Sequence, residues 1–157
     1  MMRVFASGMV MFAGMVSLPS RVSTVQTQAQ PADYRSDPRF RILSQFFHKT
    51  ECPVEKYSAV FLEAADNYAL DWRLLPSLSF IETTGGKSAH NNNFFGWDSG
   101  RAQFPSPAAA IHAVAYRLKH SSLYKNKKLD KILAVYNPDA EYGQKVKSVM
   151  RRISPTE

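Results

Sequence analysis

Cysteine is almost missing from this sequence. With Cys52 alone among 157 residues, no intramolecular disulfide is available and the fold must stand on its hydrophobic core. Cys52 itself, next to Pro53 and with no base near it in sequence, reads as a small buried hydrophobe rather than a nucleophile. Long apolar runs are also lacking. The most apolar stretch, residues 4–18, falls short of the about 20 residues that a membrane-crossing helix needs. His90, His112 and His120 make no metal-ligand spacing with any acid, so no metal and no cofactor are expected. There is no nucleic-acid-binding motif, no wall-anchoring repeat, no internal repeat and no clear strand pattern.

What is present is a hydrophobic content of 45%, ordinary for one globular domain of this length. Arg3 precedes the apolar run, and small and polar residues follow through Ala29, so residues 1–29 read as a secretory signal peptide with Thr27-Gln28-Ala29 at the cleavage site, an uncleaved anchor being the weaker alternative. That implies export to a periplasmic or extracellular location, with no stable membrane span after processing. Residues 30–38, with Pro31, Asp33 and Asp37, read as a polar linker, and residues 39–157 as the domain. The net charge of +7 falls to +5 when Arg3 and Arg21 leave with the leader. The excess lies in the C-terminal third, at Lys125, Lys127, Lys128, Lys145, Lys147, Arg151 and Arg152, where it serves solubility or attraction to an anionic polymer. A monomer is expected.

The remaining pattern is helical. Phe40, Ile42, Leu43, Phe46 and Phe47 form the first apolar cluster, and Tyr57, Val60, Phe61, Ala64 and Tyr68 recur at helical spacing with Glu63 and Asp66 opposite. Asp71 reads as the cap of a helix starting at Trp72, with Pro76 in or just beyond its first turn. Gly85-Gly86 ends that helix, and residues 88–104, rich in Asn, Gly and Ser, read as an irregular loop lining a cleft. Ser106 caps the next helix, with Pro107 first in it and Ile111, Val114, Ala115 and Leu118 as its buried stripe. A short helix follows around residues 129–136. Asn137-Pro138 repeats the cap signal before a last stripe of Tyr142, Val146, Val149, Met150 and Ile153.

The densest chemistry lies in residues 74–97. Leu75, Leu78 and Ser79 share a helix face with Glu82, while Leu74 and Ile81 lie on a neighbouring apolar face. A helix apolar nearly all round is buried, so a carboxylate at its end meets the edge of a core, where desolvation raises its pKa. Such an acid stays protonated near neutrality and can act as a general acid; the plainer alternative is a solvated carboxylate at a helix end. The asparagines Asn91, Asn92 and Asn93 are ordinary turn residues. Beside Phe95, Gly96 and Trp97 they also suit a sugar site, where amides bind hydroxyl and acetamido groups and flat rings cover apolar sugar faces.

Glu82-Thr83-Thr84-Gly85-Gly86-Lys87-Ser88 and Asn92-Asn93-Phe94-Phe95-Gly96-Trp97 resemble the E-S-x-G-G-x-S and N-N-L-F-G segments of bacterial glucosaminidase-type peptidoglycan hydrolases, of the lysozyme-like superfamily. Tyr136-Asn137-Pro138-Asp139-Ala140-Glu141-Tyr142 is similar to that family's Y-x-x-D-P-x-Y segment, so the likeness covers roughly residues 57–153. Ala134-Val135-Tyr136-Asn137 also resembles the A-Y-N of lytic transglycosylases, and Gly100 to Pro105 their G-L-M-Q-x-x-P, which makes Gln103 a candidate sugar contact. The resemblance implies a small, mostly α-helical lysozyme-like domain that cuts peptidoglycan glycan strands. It implies Glu82 as the catalytic acid, Tyr136 with its hydroxyl facing Glu82, and Asn92, Asn93, Phe95 and Trp97 as substrate-binding candidates, with Tyr142 structural.

Glycosidases commonly use two carboxylates, and between Glu82 and Tyr136 only Asp98 and Asp130 are available. Only residues 98–105 separate Trp97 from the Ser106 cap, where many relatives carry a longer insertion. Three routes stay open. Asp98 holds a water as second acid, the substrate's own N-acetyl group attacks, or Glu82 works alone as acid and then base. A different class also stays open: a wall-binding or envelope-assembly module that keeps the cleft without turnover.

Overall fold

The computed structural model describes residues 33–155. The segment read as a signal peptide, and Gln30 to Ala32 of the linker, lie outside the described residues. All of the described residues lie in one compact unit, Pro31–Glu157.

That unit is mostly helical: α1 (Pro38–Lys49), a 3-10 turn (Pro53–Tyr57), α2 (Ser58–Asn67), α3 (Leu74–Thr83), α4 (Pro107–His120), α5 (Leu129–Tyr136) and α6 (Tyr142–Ile153). No strand occurs among the described residues, and no described helix is long and apolar enough to cross a membrane. Packing begins before Phe40. Asp37 caps α1 by accepting from the Arg39 amide at 2.8 Å, and the Arg39 guanidinium bridges Asp37 to Asp66 on α2. Tyr34, within the segment read as linker, packs against the core.

Helix α3 is the buried axis. Six successive residues, Leu74 to Ser79, are buried, so no face of its first turns meets water, and it packs on α6 and α2. Its start is not capped by Asp71, as the sequence suggested. Asp71 instead accepts from the Arg73 amide at 2.9 Å and forms an ion pair with its guanidinium at 2.6 Å. The chain therefore makes a turn before the helix begins at Leu74, and Pro76 falls in the first turn, where its missing N–H costs nothing. Arg73 also donates to the Ser154 carbonyl at 3.0 Å, tying the start of α3 to the end of α6.

Around α3, the buried residues Leu43, Phe47, Phe61, Leu62, Val114, Leu118, Leu133 and Val146 complete one core. α4 is built as its sequence signal reads, with Pro107 first and Ser106 Oγ accepting from the Ala109 amide at 3.1 Å. The last helix starts later than the Asn137-Pro138 signal suggested. Asn137 Oδ1 accepts from the Asp139 amide and Asp139 Oδ1 from the Glu141 amide, so two side-chain-closed turns use up residues 137–141 before α6 begins at Tyr142.

Candidate active site

Glu82 is the next-to-last residue of α3, where a buried helix comes out at the protein surface. The helix stops because Thr84 turns left-handed (φ 52°), donating to the Phe80 carbonyl, while the Gly85 amide donates to Ser79. Gly85 then passes so close to Cys52 that any Cβ would lie 2.4 Å from its Sγ. Cys52 is thus a buried packing residue, in line with its sequence reading. Thr83 fixes the next piece of chain by donating from Oγ1 to the Phe94 carbonyl at 2.9 Å.

The loop returns across the end of α3 and puts Gly96 against the Glu82 carboxylate. At Gly96 (φ 58°) the left-handed backbone favours glycine, and a Cβ would lie 2.6 Å from Glu82 Oε2, so a larger residue would push the carboxylate aside. From the other side α6 supplies Tyr142, whose buried hydroxyl donates to Glu82 Oε1 at 2.6 Å. Burial raises the Glu82 carboxyl above its ordinary range, and the Tyr142 hydrogen bond opposes part of that rise. Tyr142 in turn is pushed far up by burial and by the adjacent carboxylate.

Glu82 opens onto a cleft of about 320 Å³ bordered also by Gly96, Trp97, Asp98, Tyr124, Tyr136 and Asn137. Its wall is aromatic. Trp97 lies 5.6 Å from Tyr136 and 6.2 Å from Tyr124 between ring centres, and the Arg117 guanidinium sits 5.1 Å from the Trp97 ring. Tyr136 stacks on Tyr142 with planes 9° apart.

No protein-family model and no curated protein sequence matches this chain.

Several sequence expectations are redistributed by this geometry. Tyr136 borders the cleft, but its hydroxyl donates to the Phe95 carbonyl at 2.7 Å and not to Glu82. The tyrosine on the acid is Tyr142, the one expected from the sequence to be structural. The two asparagines do not border the cleft. Asn93 is buried and grips the backbone of Trp97 with both ends of its amide, Oδ1 accepting from the Trp97 N–H and Nδ2 donating to its carbonyl. Asn92 Nδ2 donates to the Phe104 carbonyl at 2.8 Å. The whole Asn93 amide and the Asn92 amide nitrogen are occupied by the loop that they close. Phe95 also borders the cleft, but its side chain is wholly buried, edge-on to Phe61, and so offers no ring face to a sugar. Trp97 does line the cleft, whereas Gln103 is exposed away from it.

Asp98 stands at the cleft edge but is exposed and paired with Arg101 at 2.8 Å, which holds its carboxyl below the usual range. Asp130 pairs with Lys147 on α6, outside the cleft. Among the described residues no three His, Cys, Asp or Glu side chains cluster as metal ligands. Sequence reasoning missed Tyr124 as a cleft residue. Its signal was a single aromatic amid a polar, lysine-rich stretch, buried here by the turn of residues 121–127. The arrangement amounts to one half-buried carboxyl whose charge is disfavoured by burial, tied at Oε1 to Tyr142 and bordering an aromatic cleft. Such a group can give a proton and take it back.

Proposed function

We propose that this chain is an exported peptidoglycan hydrolase of lysozyme-like type, cleaving a β-1,4 bond between N-acetylglucosamine and N-acetylmuramic acid. One observation carries the reading: Glu82, lifted by burial at the end of α3, opens onto a cleft walled by Trp97, Tyr124 and Tyr136. Flat rings suit the apolar faces of sugars, and a neutral carboxyl suits a glycosidic oxygen. Tyr142 engages Oε1, so Oε2 is the oxygen that carries the proton. Glu82 protonates the glycosidic oxygen, the bond to the anomeric carbon breaks, and the leaving sugar departs as an alcohol. The cationic sugar carbon is then captured by an incoming hydroxyl, whose proton returns to Glu82.

The exposure and Arg101 pairing of Asp98 favour Glu82 as the sole essential acid. With one acid, the incoming hydroxyl is either water or the strand's own 6-hydroxyl, and the second case makes the chain a lytic transglycosylase. Mass spectrometry of sugars released from purified peptidoglycan separates the possibilities. Reducing N-acetylglucosamine ends identify a glucosaminidase, reducing N-acetylmuramic ends a muramidase, and anhydro-muramic ends a transglycosylase. Absence of any release that depends on Glu82, from folded protein, overturns the enzyme and leaves a wall-binding module.

A further inference from the structure

A second hollow, of about 310 Å³, shares Tyr124 with the cleft. It is formed by the chain before α3, the last turn of α4, the lysine-rich turn after it, and the start of α5. Its floor is apolar: Leu74, Leu118 and Ile132 belong to the core, and Leu70 and Leu129 pack against that core. Lys119 and Lys127 border it. Asp71, also at its edge, is held by Arg73 and leaves those charges unanswered. Among the described residues, neither lysine, nor the adjacent Lys125 and Lys128, forms an ion pair.

An apolar floor with ammonium groups at its rim fits a ligand of small apolar side chains and free carboxylates. The glycan assigned above to the cleft carries such a group, a short acidic, alanine-rich peptide hanging from its muramic residues. We propose that this hollow is a subsite for that peptide, with Lys119 and Lys127 answering its carboxylates, so that the chain selects peptide-bearing strands over bare ones. This rests on the hydrolase reading, and Tyr124, common to both hollows, places the subsite beside a strand seated at Glu82.

The test is a calorimetric titration at low salt of the full chain, with three probes: the wall disaccharide, the same disaccharide carrying its tetrapeptide, and the tetrapeptide alone. The peptide should tighten disaccharide binding about fivefold, the range expected of two exposed charge pairs. Lys119→Gln with Lys127→Gln should remove that gain and leave binding of the bare disaccharide unchanged. A gain that survives in the double variant, or no gain at all, overturns the subsite. Turnover of peptide-stripped strands that depends on Glu82, without a lysine-dependent peptide effect, overturns the subsite alone. Lysine-dependent binding of the tetrapeptide, without turnover, supports the subsite and overturns the hydrolase.

Discussion

Two carboxylates reach the same cleft and live in opposite surroundings. Glu82, at the end of a buried helix, has its charge disfavoured by burial and one oxygen held by Tyr142. Asp98, on the returning loop, has its charge favoured by Arg101 and stands in water. The difference teaches that residue type does not assign a role here; depth and partner do. A helix end can hold an acid at a fixed depth because the core fixes the helix. The exposed loop position leaves Asp98 solvated and charged.

The comparison is broken most severely at Glu82. Glu82→Gln should lower sugar release by about a thousandfold, the usual scale for a lost general acid, measured by end-group mass spectrometry. It should also remove a pH effect. With its folded pKa raised, Glu82 contributes stability that is fully present below its unfolded value, about 4.3, and lost as pH climbs through the folded one. Thermal melts of the glutamine variant should therefore gain on wild type as pH rises through that window. Next in size is Gly96→Ala, which puts a Cβ against Glu82 Oε2 at a positive φ; denaturant unfolding should show a loss of about 1–3 kcal/mol, with activity falling too.

Asn93→Ala tests whether the loop, and not the sugar, uses that amide. It strips two hydrogen bonds from the Trp97 backbone and should cost about 1–3 kcal/mol in the same unfolding assay. A change confined to substrate affinity, with stability intact, would contradict the assignment. Tyr142→Phe sharpens the contrast between the acids. It removes the one hydrogen bond that lowers the Glu82 pKa, so the alkaline limb of the pH–rate profile should move to higher pH, with about 1 kcal/mol of stability lost. Asp98→Asn should do least, leaving most of the turnover. Its pH sign is the reverse of Glu82's: whatever it contributes is present above its unfolded pKa and fades as pH falls through the lowered one. A severe loss of turnover on Asp98→Asn would make it the second catalytic acid.

What was legible in the sequence was local. The Ser106-Pro107 cap, the buried stripe of α4 and the nearly all-round apolar, buried character of α3 each depend on neighbours within two turns, and each is present. The misread helix starts have a common cause, since Asp71 and Asn137 are good cap residues whose side chains close a nearer turn first. The Asn92–Asn93 pair could not be resolved in advance. An amide that binds sugar and an amide that binds a loop carbonyl look alike until the loop is closed. Tyr136 and Tyr142 were exchanged for a longer-range reason. The contact with Glu82 spans 60 residues, and the turn between α5 and α6 decides which ring arrives beneath the acid.

The Asn93 clamp on Trp97 bears on timing as well as place. Since both ends of the amide hold the Trp97 backbone, the cleft's main aromatic wall is set when the protein folds. Affinity for a flat ligand then need not cover the entropy of ordering a loop, and association should not wait on a lid. The Trp97 amide hydrogen, although carried by an irregular segment, should exchange as slowly as those of the helices around it.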